Sequence, residues 1–386
     1  MQKIMLTISF LFLLTLGGIG SLFAQNYYAY ATAESEDEVA LVKFDGEKAE
    51  AIQRIPVGYI PTEIEGPHGI SVSPDKKHWY LSMAHGMPYG KVYKFTTGDN
   101  KLVGTTELGL FPATMQISPA TGLMYVVNFN LHGKMVPSSV SVVDPETMTE
   151  LKKITTGSMP HGSRISPDGM FHYSVAMMSG ELFEIDAASL EVSRTLSLDE
   201  EEGGMDHSMQ GMDHSKMDHS KMDHSKMDHS GMGGGMKMKH SKVKPTWVIP
   251  HPTNNKLYVA GNGVAEVLEV DRAEWKITRK FSTGKGPYNV EISPNGKLMV
   301  VTYKSDAQTG VWNLETGEEL ARIPNSRKVS HGIAITPDSK FAFVTAEGIG
   351  AEPGSVDVID LTKLELVSTA DIGKQAGGIY FWKMED

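Results

Sequence analysis

An all-β ring of seven four-stranded blades, a β-propeller, is the fold this sequence predicts, and three observations predict it. One phrase recurs six times at a period of forty-odd residues, each recurrence is followed by short β-branched strands, and the two ends of the chain complement each other as parts of a seventh unit.

The phrase runs Pro67-His68-Gly69-Ile70-Ser71-Val72-Ser73-Pro74 and returns at Pro119, Pro167, Pro252, Pro294 and Pro337. With its last proline as anchor the spacings are 45, 48, 85, 42 and 43 residues, so one ordinary unit carries an insertion of about forty residues. Behind each anchor stands an aromatic-rich second strand, such as Trp79-Tyr80-Leu81 or Met124-Tyr125-Val126-Val127. A third strand ends near an acid, as in Val140 to Asp144 and Val267 to Asp271, and a fourth closes at Thr156-Gly157, Thr283-Gly284 or Ile372-Gly373. Four short alternating strands per period make one blade. Gly310-Val311-Trp312-Asn313-Leu314 reads as such a third strand, with Trp312 packing inward.

At the start, Tyr28 to Glu34 matches Phe341 to Glu347, so the chain enters the ring at a second strand. The absent first strand is supplied by Gly377-Gly378-Ile379-Tyr380-Phe381-Trp382 at the other end. One blade is therefore shared between the N- and C-termini, and the ring closes without a free sheet edge.

Composition narrows the chemistry. The 386 residues include no cysteine, which excludes c-type haem attachment, thiolate zinc sites, cysteine-ligated clusters and cysteine nucleophiles. A net charge of −11 argues against nucleic acid or an anionic membrane surface as partner. Lys3, the apolar run Ile4 to Leu16 and Leu22-Phe23-Ala24 read as a secretory signal peptide over residues 1–24, cut before Gln25. No later stretch is long and apolar enough for a membrane span, so residues 25–386 are expected to form a soluble periplasmic or secreted propeller.

Tyr125-Val126-Val127-Asn128, Tyr258-Val259-Ala260-Gly261 and the Ser166-Pro167-Asp168-Gly169 turn resemble the YVTN-type seven-bladed propeller repeat of exported bacterial and archaeal surface proteins. The resemblance covers roughly residues 27–198 and 243–383 and implies architecture. Functions among such propellers and their lactonase-like relatives are diverse, so it implies no particular chemistry.

Two constellations point to metal. The residues six before each anchor proline are His68, Ala113, His161, Thr246, Tyr288 and His331, with Gly377 in the shared blade. They begin the innermost strands and should ring one mouth of the central channel, with His85, Asn130, Met178 and the Glu347 region nearby. His68, His161 and His331, with His85 as a possible fourth, are candidate metal ligands. The competing reading is that each imidazole holds a neighbouring backbone group at a strand entry. Tyr288, Trp247 and Trp382 are expected to be core.

The second constellation is the insertion, residues 199–242, where a pentad repeats: Met212-Asp213-His214, Met217-Asp218-His219, Met222-Asp223-His224 and Met227-Asp228-His229, each followed by serine. Met205 and His207 precede the run and His240 follows it. A period of five suits neither helix nor strand burial, so one long disordered loop is expected. Thioether donors suit cuprous copper or silver, and imidazole with carboxylate suits cupric copper or other borderline transition metals. The composition resembles that of exported copper- and silver-resistance proteins.

The loop leaves strand four of one blade and enters strand one of the next, which places it on the face carrying the histidines. The sequence contains no His-Glu-x-x-His, P-loop or Gly-x-Ser-x-Gly motif. The expected function is an exported metal-binding propeller, with copper or silver as ligand, for storage, delivery or detoxification. The alternatives are an enzyme at the His-lined mouth, either a copper oxidoreductase or a lactonase-like hydrolase, and a propeller whose face binds a protein or cell-wall partner.

Overall fold

Seven antiparallel sheets of four strands each stand around one axis, and 28 strands account for all of them. The computed structural model describes residues 25–60, 62–85, 89–199 and 240–385. The innermost strands are Pro67–Val72, Pro112–Ile117, Pro160–Ile165, Pro245–Pro250, Pro287–Ile292, Val329–Ile335 and Ala376–Glu385. The last of these comes from the C-terminus and pairs with Asn26–Ala33, setting Tyr380 opposite Tyr30 and Ile379 opposite Ala31. Ring closure by a shared blade is thus as the terminal segments imply.

The recurring Ser-Pro-Asp-Gly phrase is a hairpin device. In Ser166 to Gly169 the Asp168 carboxylate is hydrogen-bonded to the Ser166 hydroxyl and accepts from the Met170 amide at 3.0 Å, while Gly169 takes a φ of +75°. Ser166 Oγ also accepts from the Phe171 amide at 2.9 Å, which fixes the start of the second strand.

Blades pack through their aromatic and β-branched faces. Tyr30 of the shared blade stacks on Trp79 of the next with ring centres 5.2 Å apart, and Trp79 stacks in turn on Phe95 at 4.1 Å. Fourth strands such as Glu191–Ser197 alternate exposed and half-buried residues, as outer strands with one wet face should. Trp312 is buried in the third strand Gln308–Asn313, its indole N–H donating to Tyr303 Oη at 2.8 Å.

At the axis a second bonding system joins the blades. The carbonyl at each of the seven strand-entry positions accepts a side-chain hydrogen bond from the blade before it. Thr32 donates to His68 O, Ser82 to Ala113 O, Thr114 to His161 O, the His161 ring to Thr246 O, Thr246 to Tyr288 O, Thr302 to His331 O and Thr345 to Gly377 O, over 2.6–3.2 Å. This contact brings backbones very close: a Cβ at Gly69 would lie 1.7 Å from Ala113 O, and one at Gly378 would lie 2.1 Å from His68 O. The glycine of Pro-His-Gly is therefore required by the approach of the neighbouring strand.

The insertion is rooted by backbone. Asp199 Oδ1 accepts from the amides of Lys242 at 2.9 Å and Val243 at 3.0 Å, and the Ser241 amide donates to Met178 O at 3.0 Å. This root lies between the fourth strand Glu191–Ser197 and the inner strand Pro245–Pro250, on the face where inner strands begin. The candidate ligands Met205, His207, Met212, Asp213, His214, Met217, Asp218, His219, Met222, Asp223, His224, Met227, Asp228 and His229 lie outside the described residues, as do residues 1–24, where a signal peptide is expected. His240 is described and exposed. Among the described residues no helix is long and apolar enough to cross a membrane.

Candidate metal centre

The strand-entry residues His68, His161, Tyr288 and His331 meet at the mouth. Their rings form a closed circuit, with centres 5.9 Å apart for His68 and His161, 5.3 Å for His161 and Tyr288, 4.6 Å for Tyr288 and His331, and 5.9 Å for His331 and His68. The three imidazoles expected at this mouth are thus brought together. Tyr288, expected to be core, is instead a fourth member of their ring. Its place was readable, since it occupies the same repeat position as the histidines; its residue type concealed it, because tyrosine in a strand usually packs.

The imidazoles are oriented by their outer nitrogens. His161 Nδ1–H donates to Thr246 O at 3.1 Å, and its Nε2 accepts from the Tyr288 hydroxyl at 2.9 Å. His68 Nδ1 is paired with the Glu34 carboxylate, and His331 turns its Nε2 toward Glu347 Oε1 at 4.0 Å. The backbone-holding reading is therefore correct for one nitrogen of His161, whereas His68 holds a carboxylate instead. Such outer partners also fix the tautomer and orientation of metal-binding histidines.

A second circle surrounds the first. Ten residues after the anchor prolines stand Ala84, Phe129, Met177, Asn262, Lys304 and Glu347, and Glu34 is their counterpart in the shared blade. Glu34, Phe129, Lys304 and Glu347 line one cavity of about 290 Å³ together with the inner circle. Five histidines reach it: His68, His161, His331, His85 and His132. His85 stands beside Phe111 and His132, at 5.6 and 6.0 Å between ring centres, and so belongs to the rim. Asn130 caps its own loop by donating to Lys134 O at 2.9 Å, and Met178 packs with Phe111 and Phe129.

Phe111 and Gln375, also in the cavity wall, hold φ values of +54° and +56° at a position that is Gly66 or Gly286 in other blades. A left-handed backbone disfavours any side chain there, so the ring geometry imposes it.

Charge follows burial. Burial is the main cause that lowers the His161 imidazole to about 3, and burial with Lys304 and His68 holds His331 far below the usual histidine range, so both are neutral near pH 7. Burial would raise the Glu34 carboxyl, but His68, His85 and Lys304 outweigh it and hold Glu34 ionised below the usual range. Burial wins at Glu347, whose carboxyl is raised despite Lys304 Nζ at 3.6 Å. Burial, reinforced by Glu34 and Glu347, also pushes the Tyr288 phenol well up.

Below His68 and His331 the channel narrows to a chamber of about 40 Å³, walled by Thr114, Arg164, Trp247 and Asn289. Arg164 pairs with Glu291, two blades on, and lies 4.6 Å over Trp247 of the blade between them. Trp247 lines this chamber and, as expected, is also core, packed with Tyr258 and Val290, whereas Trp382 is half-buried and packs on Tyr30 at the edge of its cluster.

Among the described residues no three His, Asp or Glu side chains stand at ligating distance as placed. The mouth is a set of convergent donors rather than a closed chelate.

No known family profile matches the chain. An uncharacterized protein, YncE of Salmonella typhi, is 25% identical over 202 residues, spanning 50% of this chain and 55% of that protein, so the match covers about half of its length. A solved structure of Kuenenia stuttgartiensis hydrazine synthase is similar with a TM-score of 0.58 at 20% identity, covering 79% of this chain and 81% of that one. A functionally unknown protein of Desulfotomaculum acetoxidans reaches 0.64 at 13% identity, covering 92% of this chain and 98% of that one. The two structures share the fold with this chain; the YncE match fits the YVTN-type resemblance.

Proposed function

We propose that the protein binds transition-metal ions in an exported compartment, with copper or silver as the ions its donors fit best, for storage, delivery or detoxification. The observation that carries this reading is the convergence of His68, His161 and His331, from three separate blades, on one cavity with ring centres 5.9 Å apart about His68. Neutral imidazole is the form a borderline metal binds. The Met-Asp-His pentads of the insertion add soft thioether donors in many copies, which raises the local ligand concentration for cuprous copper or silver. The described root of the insertion, Asp199 and Ser241 beside Met178, stands on the face where the inner strands begin, which is the face of the mouth.

The test is a competition titration of the full chain, its His331→Ala variant and a chain lacking residues 200–239. The His331 variant should lose one cupric equivalent, and the deletion should lose most cuprous or silver equivalents. Equal cupric uptake by the full chain and His331→Ala would remove the mouth from the proposal. Equal silver uptake with and without the insertion would remove the pentads.

A further inference from the structure

We propose that Tyr288 is the fourth ligand of the mouth, its phenolate oxygen joining His68, His161 and His331 around one cupric ion. This rests on the metal-binding reading above and specifies which oxidation state the mouth selects.

Tyr288 begins its inner strand at the same repeat position as the three histidines, so the ring symmetry aims all four side chains at one axis. Its ring closes the circuit, between His161 at 5.3 Å and His331 at 4.6 Å. Its hydroxyl lies 2.9 Å from His161 Nε2, the nitrogen left for the axis once Nδ1 is committed to Thr246 O. An ion bound by that nitrogen is therefore within reach of the phenol oxygen. Lys304 Nζ sits 4.3 Å over the face of the Tyr288 ring and is paired with Glu347 at 3.6 Å, and burial with Glu34 and Glu347 keeps the phenol protonated until a metal ion displaces its proton. Three imidazole nitrogens and one anionic oxygen form a donor set suited to cupric copper, whereas the thioethers of the insertion suit the cuprous ion. Ligation breaks the Tyr288 O–H bond and forms an O–Cu bond; the proton leaves through the open cavity to water, and no electron is transferred.

The competing reading is that Tyr288 only donates a hydrogen bond to His161. Phenolate bound to cupric copper absorbs visible light by charge transfer, and the insertion, residues 199–242, contains no tyrosine that could mimic it. Cupric ion alone, added to the full chain, should give this band, saturating with the equivalent that His331→Ala removes. Tyr288→Phe should lose the band while keeping a weakened cupric equivalent. Resonance Raman of the unaltered chain should show phenolate ring modes, a measurement independent of how the variant folds. A cupric equivalent sensitive to His331→Ala but without band or phenolate modes would overturn the role of Tyr288 and leave the mouth site standing. A band that persists in Tyr288→Phe would also overturn it. Equal cupric uptake by the full chain and His331→Ala would overturn the mouth reading itself, and this ligand with it.

Discussion

Replacing His161 by glutamine should make the protein less sensitive to mild acid, and the size of the effect follows from burial. His161 is 1% exposed and its imidazole titrates near 3 in the folded chain, against about 6.5 when unfolded. The unfolded state therefore binds more protons, so the stability this residue confers is complete above about pH 6.5 and falls as pH drops toward 3. At pH 5 the loss depends only on the distance from the unfolded value, at about 1.4 kcal/mol per pH unit, which gives about 2 kcal/mol. His331 and His172 are also buried and held low, and they add losses of the same sign. Glu291 and Glu347, whose carboxyls burial raises, act oppositely as pH falls. All four groups are present in wild type and variant, so they cancel in the comparison.

Guanidinium unfolding followed by tryptophan fluorescence at pH 7.5 and pH 5 gives the four stabilities required. At pH 7.5 the variant should be less stable by about 0.5–1.5 kcal/mol for each of the bonds to Thr246 and Tyr288 that glutamine fails to replace. Between the two pH values it should lose about 2 kcal/mol less than wild type. Equal losses would mean that His161 is not held neutral in the fold, and the mouth would then be a cationic pocket rather than a donor set.

Two further outcomes test the frame that holds the mouth. Removing residues 375–386 deletes the inner strand of the shared blade and the Gly377 carbonyl that accepts from Thr345, so a large part of the ~5–15 kcal/mol expected of a folded domain should go; a soluble truncation with an unchanged thermal midpoint would refute closure by the C-terminus. Gly378→Ala puts a Cβ 2.1 Å from His68 O, which should lower the thermal midpoint and disturb metal uptake at the mouth together; an unchanged midpoint would refute the close approach of these strands.

The architecture was legible because a blade is a period, and a period survives every substitution that keeps its anchor proline and strand alternation. The shared blade was legible from Tyr28 to Glu34 matching Phe341 to Glu347. Even the second circle was within reach, since that match aligns Glu34 with Glu347 and the anchors align Lys304 with both. What hid them is residue type: Lys304, Phe129, Met177 and Ala84 share no chemistry, so the column does not announce itself. His172 shows the opposite difficulty. It is a fully buried histidine stacked on Tyr125 at 4.8 Å, outside the mouth cavity, and residue type alone would count it with His161; only its place five residues after Pro167, rather than six before, sets it apart.

The seven carbonyl bonds at the axis decide which histidines the fold itself explains. Eight residues after the anchor stand Ser82, Thr302 and Thr345, with Thr32 as their match in the shared blade, and each of these hydroxyls donates to the next blade's strand-entry carbonyl. The same position is Val127, Val175 or Ala260 in the other three blades, where no hydroxyl exists. There the donor comes from the inner strand instead: Thr114, His161 and Thr246. His161 thus does structural work that a threonine does elsewhere, and its presence is accounted for without any ligand. His68 and His331 stand in blades already served by Ser82 and Thr345, so ring closure needs neither imidazole. His68 ties to Glu34 of the shared blade, but the convergence of His68 on His161 and of His331 on Tyr288 is not needed for the carbonyl bonds, and the case for a ligand at this mouth rests most heavily on those two histidines.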